Sequence, residues 1–210
     1  GLGARVTLYD RSDPEKLSDA LEAAARLGVK ACPGTDEVGL EGVDILIPSP
    51  GVRDDHNVFR EARRRGVPVI SEIELAYRLS RAPIVAITGT NGKTTTTIMA
   101  GAMLAAGGRE TCVAGNVAAG DIKLPLVTAA ARAGADAVIA AEISTFQLEW
   151  VSDFRPRVAV LLNVTSDHLD RHPTVEAYAS LKARIFENQT ADDYSVLNAE
   201  NPFTASLATE

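Results

Sequence analysis

Thr88-Gly89-Thr90-Asn91-Gly92-Lys93-Thr94-Thr95 is a glycine-rich loop between an apolar segment that predicts a strand and a segment that predicts a helix. Glycines let a backbone wrap phosphate groups with its N–H groups turned inward, and the helix N-terminus adds partial positive charge. In such a phosphate loop Lys93 reaches the terminal phosphates and the Thr94 hydroxyl binds Mg²⁺. The usual spacing G-x-x-x-x-G-K-[ST] would put a glycine at position 87, where this sequence has Ile87. Residues 89–95 are therefore predicted to bind a nucleoside triphosphate, ATP with Mg²⁺, through a shorter variant of the common motif.

The composition is that of a soluble protein with a hydrophobic core. Of 210 residues, 28 are acidic and 21 are Lys or Arg, which gives a net charge of −7 at pH 7. This balance argues against nucleic acid as the main partner, because a phosphate backbone recruits basic surfaces. No apolar run approaches the roughly 20 residues of a membrane-spanning helix, and no signal peptide is visible. Cys32 and Cys112 have no metal-ligand spacing, which indicates reduced thiols in a cytoplasmic protein.

The strand and helix patterns divide the chain into two α/β parts. In the first part a β-α-β-α-β rhythm predicts a Rossmann-like parallel sheet that binds ligands at the carboxyl ends of its strands. Its predicted strands cover residues 5–9, 43–47 and 67–70. In the second part apolar runs without alternation are typical of central parallel strands that are covered on both faces. The predicted strands there cover residues 84–88, 112–114, 137–141, 158–162 and 194–197, with helices over 93–106 and 174–187. A helix over 72–79 links the parts, and Arg81-Ala82-Pro83 marks the expected boundary.

Two polar segments that follow predicted strands point to a metal site. Glu142 comes directly after one strand, where a carboxylate near the phosphate loop can reach Mg²⁺. The segment 163–172 follows another strand and contains Asp167, His168 and Asp170. Taken singly, Glu142 could instead begin a helix, and the second segment could be a hydrogen-bonded turn. Three strand ends of one sheet that each carry polar groups favour a shared site.

Together these segments resemble the Mur ligases of peptidoglycan synthesis. The resemblance rests on residues 88–95, Gly115-Asn116, residues 142–149 and residues 163–171. The Ser-x-Phe-Gln-Leu-Glu form of residues 144–149, like Ser49-Pro50-Gly51, resembles the members that add D-glutamate to UDP-N-acetylmuramoyl-L-alanine. The activity that this implies is ATP-dependent, ADP-forming amide bond formation through an acyl phosphate.

The resemblance also implies roles for individual residues. Lys93, His168 and Lys182 are the implied catalytic residues. Two magnesium sites are implied, with ligands Thr94, Glu142, His168 and Lys182. Lys182 matches a lysine that the family carbamylates, which would convert a cation into an anionic oxygen ligand for the second ion. The nucleotide-sugar substrate would be bound by Asp10, Arg11, Ser49, Gly51, Asn116, Ser144 and Gln147.

For the whole protein the resemblance implies a monomeric, three-domain enzyme of the cytoplasm. Residues 1–80 would form a UDP-substrate-binding domain that lacks its first strand, and residues 81–210 an incomplete central ATP-binding domain. The C-terminal domain, the adenine pocket and the D-glutamate site are expected to lie outside this sequence. The expected partners are UDP-N-acetylmuramoyl-L-alanine and D-glutamate, with no nucleic acid and no membrane.

Other functions share parts of this pattern. A sibling Mur ligase or a folylpolyglutamate-type ligase would have the same phosphate loop, although a folate ligase would lack the nucleotide-sugar domain before Ile84. A non-catalytic nucleotide-binding module would not be expected to keep Lys93, Glu142, His168 and Lys182 intact. A P-loop kinase or GTPase is expected to show the standard spacing of the phosphate loop.

Overall fold

The computed structural model describes residues 3–117, 124–165 and 174–209. The chain forms two compact units, the first from Gly1–Leu46 and Arg53–Pro68, the second from Ile47–Val52 and Val69–Glu210. Both contain helices and parallel strands, which confirms the predicted α/β class. The assignment of residues 1–80 to UDP and of residues 81–210 to ATP stays a prediction.

The first unit contains one parallel pair of strands, β1 (Thr7–Asp10) and β2 (Lys30–Pro33). Its helices are α1 (Ser18–Arg26), which follows a 3-10 turn at Pro14–Leu17, and α2 (Asn57–Arg65). The prediction of strands over 43–47 and 67–70 was wrong, since each segment contains only a one-residue bridge, at Leu46 and at Val69, and Leu46 N donates to Pro68 O at 2.9 Å. Pro68 has no N–H to donate, so a regular ladder cannot continue through it. The sequence analysis missed β2, because Lys30-Ala31-Cys32-Pro33 has no β-branched residue and no alternation.

The second unit contains a five-stranded, all-parallel sheet. Its strands are β3 (Ile84–Thr88), β4 (Thr111–Gly115), β5 (Val138–Glu142), β6 (Val158–Leu161) and β7 (Tyr194–Leu197), in the order β4-β5-β3-β6-β7. After β3 the chain therefore forms the edge strand β4, returns to place β5 between β4 and β3, and then crosses to the other side of β3 at β6. In open α/β sheets this switch in strand order leaves a crevice at the carboxyl ends of the strands, where ligands bind. The register pairs Ile87 with both Glu142 and Val160, which brings three strand ends together there.

Six α-helices of the second unit lie in the part of the chain that the structure describes. They are α3 (Glu72–Leu79), α4 (Lys93–Ala106), α5 (Leu126–Arg132), α6 (Thr145–Leu148), α7 (Val175–Ala183) and α8 (Pro202–Ser206). The bounds of α3 and α4 agree with the prediction, whereas the helix predicted over 174–187 ends at Ala183 and continues as a 3-10 turn. Helix α3 packs on α5, and its Ile73 and Ala76 are fully buried in the core of this unit. None of the helices within the described ranges is long and apolar enough to cross a bilayer.

A buried carboxylate on α3 holds the loop that precedes β6. The side chain of Glu74 is fully buried and accepts hydrogen bonds from the backbone N–H groups of Ser152, Asp153 and Phe154, at 2.9 to 3.2 Å, and from Arg78 Nε at 2.8 Å. Burial raises the pKa of Glu74, but these donors stabilise the charged form more, so the pKa lies below the usual 4.5. The carboxylate thus joins α3 to a loop that lies far away in the sequence.

Candidate active site

The phosphate loop leaves β3 at the point where the strand order switches. Gly89 has φ +154° and Gly92 has φ +83°, backbone conformations that L side chains rarely adopt. A Cβ at Gly89 would also lie 3.0 Å from Leu162 Cβ. Helix α4 begins at Lys93, whose Nζ donates to Thr90 O at 2.9 Å. The ammonium group therefore lies against the loop, and the first N–H groups of α4, which have no partner within the helix, are at its end.

Asn163 braces the phosphate loop from the end of β6. Its backbone O accepts from Thr90 N at 2.9 Å, and its Oδ1 accepts from Asn91 N at 2.9 Å. Its Nδ2 donates to Asn91 O at 3.1 Å, so one side chain satisfies both polar groups of the Asn91 backbone. The sequence analysis placed Asn163 in a polar segment after a predicted strand but gave it no role of its own. Its position directly after a strand that borders β3 was the available signal.

Two predicted metal ligands meet at the start of α4. Thr94 Oγ1 donates to Glu142 Oε2 at 2.6 Å, and Asn116 Nδ2 lies 3.4 Å from Glu142 Oε1. Glu142 is the last residue of β5 and is only 3% exposed. Hydroxyl and carboxylate oxygens are the ligands that Mg²⁺ prefers, so this donor set fits a magnesium ion. Within residues 3–117, 124–165 and 174–209, no three His, Cys, Asp or Glu side chains cluster as a metal site.

Gly115 permits the close approach of β4 and β5 beside Glu142. It has φ +93°, and a Cβ at this position would lie 2.2 Å from the backbone O of Glu142. The next residue, Asn116, donates its backbone N–H to that same oxygen at 2.9 Å. The absence of a side chain at position 115 therefore places Asn116 beside the Glu142 carboxylate.

Lys182 lies beneath the phosphate loop. It is on α7 and is 1% exposed, and its Nζ donates to Gly89 O at 2.8 Å and lies 4.4 Å from the centroid of the Tyr178 ring. The carbonyl oxygen and the ring face both stabilise a cation in a buried place. Sequence pattern alone marks this residue only as a helical lysine, and the fold brings it to the loop.

Arg184 joins α7 to the end of α6. Its guanidinium donates to the backbone oxygens of Leu148, Glu149 and Val151, each at 2.7 Å. Two of these bonds satisfy carbonyl groups that the end of a short helix leaves without partners, and the third, to Val151, holds the segment that follows the helix. The sequence analysis gave no role to Arg184, and nothing in the local sequence marks it.

Two of the predicted substrate residues, Asn116 and Gln147, line one cavity, and a third, Ser144, is hydrogen-bonded to Gln147. The cavity has a volume of about 350 Å³ and is lined in part by Asn116, Gln147, Gly115 and Glu72. A narrower crevice is lined by Ser49, Gln147 and Glu72, among others. Ser144 donates from its backbone N and from its Oγ to Gln147 Oε1, at 2.9 and 3.0 Å. The second unit thus brings together Ser49, Asn116, Ser144 and Gln147.

The other residues predicted to bind substrate or metal lie outside this cavity wall or outside the described residues. Gly51 lies on the same segment as Ser49, Ile47–Val52. Asp10 and Arg11 lie at the end of β1 in the first unit, where Asp10 Oδ1 accepts from Ser12 N at 2.7 Å. That bond lowers the pKa of Asp10. His168 lies outside the described residues, so its part in the site stays a prediction.

Comparison with known proteins identifies the family. The model of the Mur ligase middle domain matches residues 87–210, which is more than half of the chain and includes most of the phosphate loop. This chain belongs to the Mur ligase family. The resemblance seen in the sequence is therefore confirmed.

Curated relatives within the Mur ligase family match nearly the whole chain. It is 47% identical over 207 residues to the UDP-N-acetylmuramoylalanine–D-glutamate ligase of Caldanaerobacter subterraneus subsp. tengcongensis, covering 98% of this chain and 45% of that protein. It is 50% identical over 200 residues to the enzyme of the same name from Trichlorobacter lovleyi, covering 95% of this chain and 44% of that one. The chain therefore spans less than half the length of these relatives.

A solved structure supports the fold. The UDP-N-acetylmuramate:L-alanyl-gamma-D-glutamyl-meso-diaminopimelate ligase from Neisseria meningitides superposes with a TM-score of 0.63 at 20% sequence identity. The match covers 99% of this chain and 68% of that one. At this identity the similarity establishes a shared Mur ligase fold and nothing about the substrate.

Proposed function

We propose that the protein acts as an ATP-dependent ligase that adds D-glutamate to UDP-N-acetylmuramoyl-L-alanine and releases ADP. The observation that carries this proposal is the convergence of Lys93, Thr94, Glu142 and Lys182 on one glycine-rich loop. The choice of D-glutamate is supported by relatives of that name at 47% to 50% identity over nearly the whole chain. The cytoplasm is the proposed location and a monomer the proposed state.

The second unit would act as a P-loop-type ATPase. The N-terminus of α4 and the N–H groups of the loop would face the triphosphate, and Lys93 would exchange its bond to Thr90 O for one to a phosphate oxygen. Thr94 and Glu142 would hold Mg²⁺, which neutralises charge on the triphosphate when it is bound. Lys182, carbamylated, would provide an oxygen ligand for a second ion, and His168 would complete the set.

The substrate residues would position the reacting carboxylate. The carboxylate of the alanyl group attacks the γ-phosphorus and ADP leaves, which gives an acyl phosphate. The amine of D-glutamate then attacks the acyl carbon and phosphate leaves. Asn116, Ser144 and Gln147 would hold the muramoyl and pyrophosphate part, whereas Asp10, Arg11, Ser49 and Gly51 would hold the UDP end in a Rossmann-like arrangement. Catalysis of this kind depends on positioning and charge stabilisation, which the rigid strand ends supply.

The test is a coupled assay of ADP release by the complete native chain on UDP-N-acetylmuramoyl-L-alanine. D-glutamate, L-lysine and meso-diaminopimelate are compared as acceptors, with Lys93→Ala as the inactive control. We expect release with D-glutamate alone. Release with L-lysine or meso-diaminopimelate in its place would overturn the acceptor assignment, and no release with any acceptor would overturn the proposed activity.

A further inference from the structure

Glu72 lies in the wall that the 350 Å³ cavity shares with the narrower crevice. Only Pro50, Glu72 and Gln147 line both spaces among the described lining residues. Glu72 begins α3, is half-buried, and is the acidic side chain that the two lining sets have in common. The reaction proposed above assigns it no role.

The carboxylate of Glu72 contacts two elements of the cavity wall. Its Oε1 accepts from the backbone N–H of Val127, the second residue of α5, at 2.6 Å. Its Oε2 lies 3.5 Å from Gln147 Nε2, on α6. Burial raises the pKa of Glu72, and the hydrogen bonds from Val127 and Gln147 offset this only in part. One side chain on α3 thus connects the walls formed by α5 and α6.

These contacts fix which way the amide of Gln147 points. Its Oε1 accepts from the N–H and the hydroxyl of Ser144, and its Nε2 faces the Glu72 carboxylate. A flipped amide would set an NH₂ group against the N–H of Ser144 and a carbonyl oxygen against the carboxylate of Glu72. Both neighbours therefore oppose the flip. One N–H of this NH₂ group donates to Glu72. The other N–H would donate a hydrogen bond to an oxygen of the substrate.

We propose that Glu72 is a positioning residue for the nucleotide-sugar substrate. It orients the amide of Gln147 and holds the start of α5, so that the cavity wall is formed before the substrate binds. This inference rests on the proposed function for the identity of the substrate. It does not require Glu72 to touch the reacting atoms.

The experiment measures substrate constants and the state of Gln147 in the complete native chain. Steady-state KM values for UDP-N-acetylmuramoyl-L-alanine and for ATP are determined for Glu72→Ala and Glu72→Gln. Loss of a hydrogen bond to a charged group should raise the KM for the nucleotide sugar about tenfold in Glu72→Ala. The KM for ATP and the kcat should stay unchanged, and Glu72→Gln, which keeps one acceptor oxygen, should lie between wild type and Glu72→Ala.

A second readout does not depend on turnover. In protein labelled with ¹⁵N at glutamine, the side-chain NH₂ signal of Gln147, assigned by its loss in Gln147→Glu, should shift in both Glu72 variants. If the wild type does not use the nucleotide sugar, the proposed function fails, while this signal still decides whether Glu72 orients Gln147.

Glu74→Gln is the matched control, because Glu74 is on the same helix and lines neither cavity among the described lining residues. It should lower the temperature of unfolding and leave the KM and the Gln147 signal unchanged. The proposal is overturned if the Glu72 variants also lower only the temperature of unfolding, with the KM and the Gln147 signal as in wild type. Should Glu72→Ala fail to fold, Glu72→Gln carries the same comparison.

Discussion

Gly115→Ala is expected to destabilise the second unit and to disturb the candidate active site at the same time. The added Cβ would lie 2.2 Å from the Glu142 backbone oxygen, whereas real Cβ atoms essentially never come closer than 3.0 Å to another heavy atom. That atom is backbone at the end of a central strand, so it cannot move aside like a flexible side chain. The end of β4 must therefore move away from β5, which breaks the 2.9 Å bond from Asn116 N to Glu142 O.

Three glycines allow the separate contributions to be measured. Gly134 has open space around its Cβ position and an ordinary φ, so Gly134→Ala should be neutral or stabilising by about 0.5 kcal/mol. Gly108 also has open space but φ +81°, so Gly108→Ala should cost about 1 kcal/mol for the backbone alone. Gly115→Ala adds the clash and the lost hydrogen bond, for a total of about 3 kcal/mol.

The assay is urea unfolding of the three variants in the complete native chain, followed by a probe of the second unit such as the fluorescence of Trp150. Gly134→Ala is predicted to be the most stable of the three variants, Gly108→Ala the next and Gly115→Ala the least stable. A Gly115→Ala variant as stable as Gly108→Ala would refute the reasoning, because it would mean that β4 and β5 do not approach as closely as described.

Three further predictions concern single side chains. Asn163→Ala should raise the KM for ATP about tenfold in steady-state kinetics, because it removes two hydrogen bonds of about 1 kcal/mol each to Asn91. An unchanged KM would mean that the phosphate loop keeps its shape without the side chain of Asn163. Glu142→Gln should lower kcat by about two to three orders of magnitude in the ADP-release assay while the temperature of unfolding stays close to wild type, and near-normal turnover would contradict its role as a metal ligand. Glu74→Gln should cost about 2 kcal/mol at pH 7 in urea unfolding. Because the pKa of Glu74 in the folded protein lies below 4.5, the Glu74 carboxylate stabilises the fold fully above pH 4.5, and this stabilisation is lost as the pH falls through the pKa of the folded state. The difference in unfolding free energy between wild type and Glu74→Gln should therefore shrink in acid. A difference that grows in acid would contradict a lowered pKa.

Features that are set by neighbouring residues could be predicted from the sequence. The phosphate loop, the start of α4 at Lys93 and the bounds of α3 follow from glycines, caps and apolar runs within a few residues. The strands over 43–47 and 67–70 were predicted by the same reasoning and were wrong. Their apolar residues fit a strand, but Pro68 interrupts the backbone pairing that a strand needs.

Features that depend on distant contacts could not be predicted in this way. Lys182 and Gly89 are 93 residues apart, and Glu72 and Gln147 are 75 residues apart. A lysine in a helix and a glutamate at a helix start are both ordinary in the local sequence. Only the packing of α7 and α3 gives these two residues their place at the site, so the role of Lys182 came from the family resemblance and that of Glu72 from the structure.

The central claim is that this site activates a carboxylate with ATP before the amide forms. The most direct test uses UDP-N-acetylmuramoyl-L-alanine with ¹⁸O in the alanyl carboxylate and follows the phosphate that the complete native chain releases with D-glutamate. An acyl phosphate requires a carboxylate oxygen to leave with the phosphate, so each phosphate released should contain one ¹⁸O atom. Phosphate without the label would contradict the account.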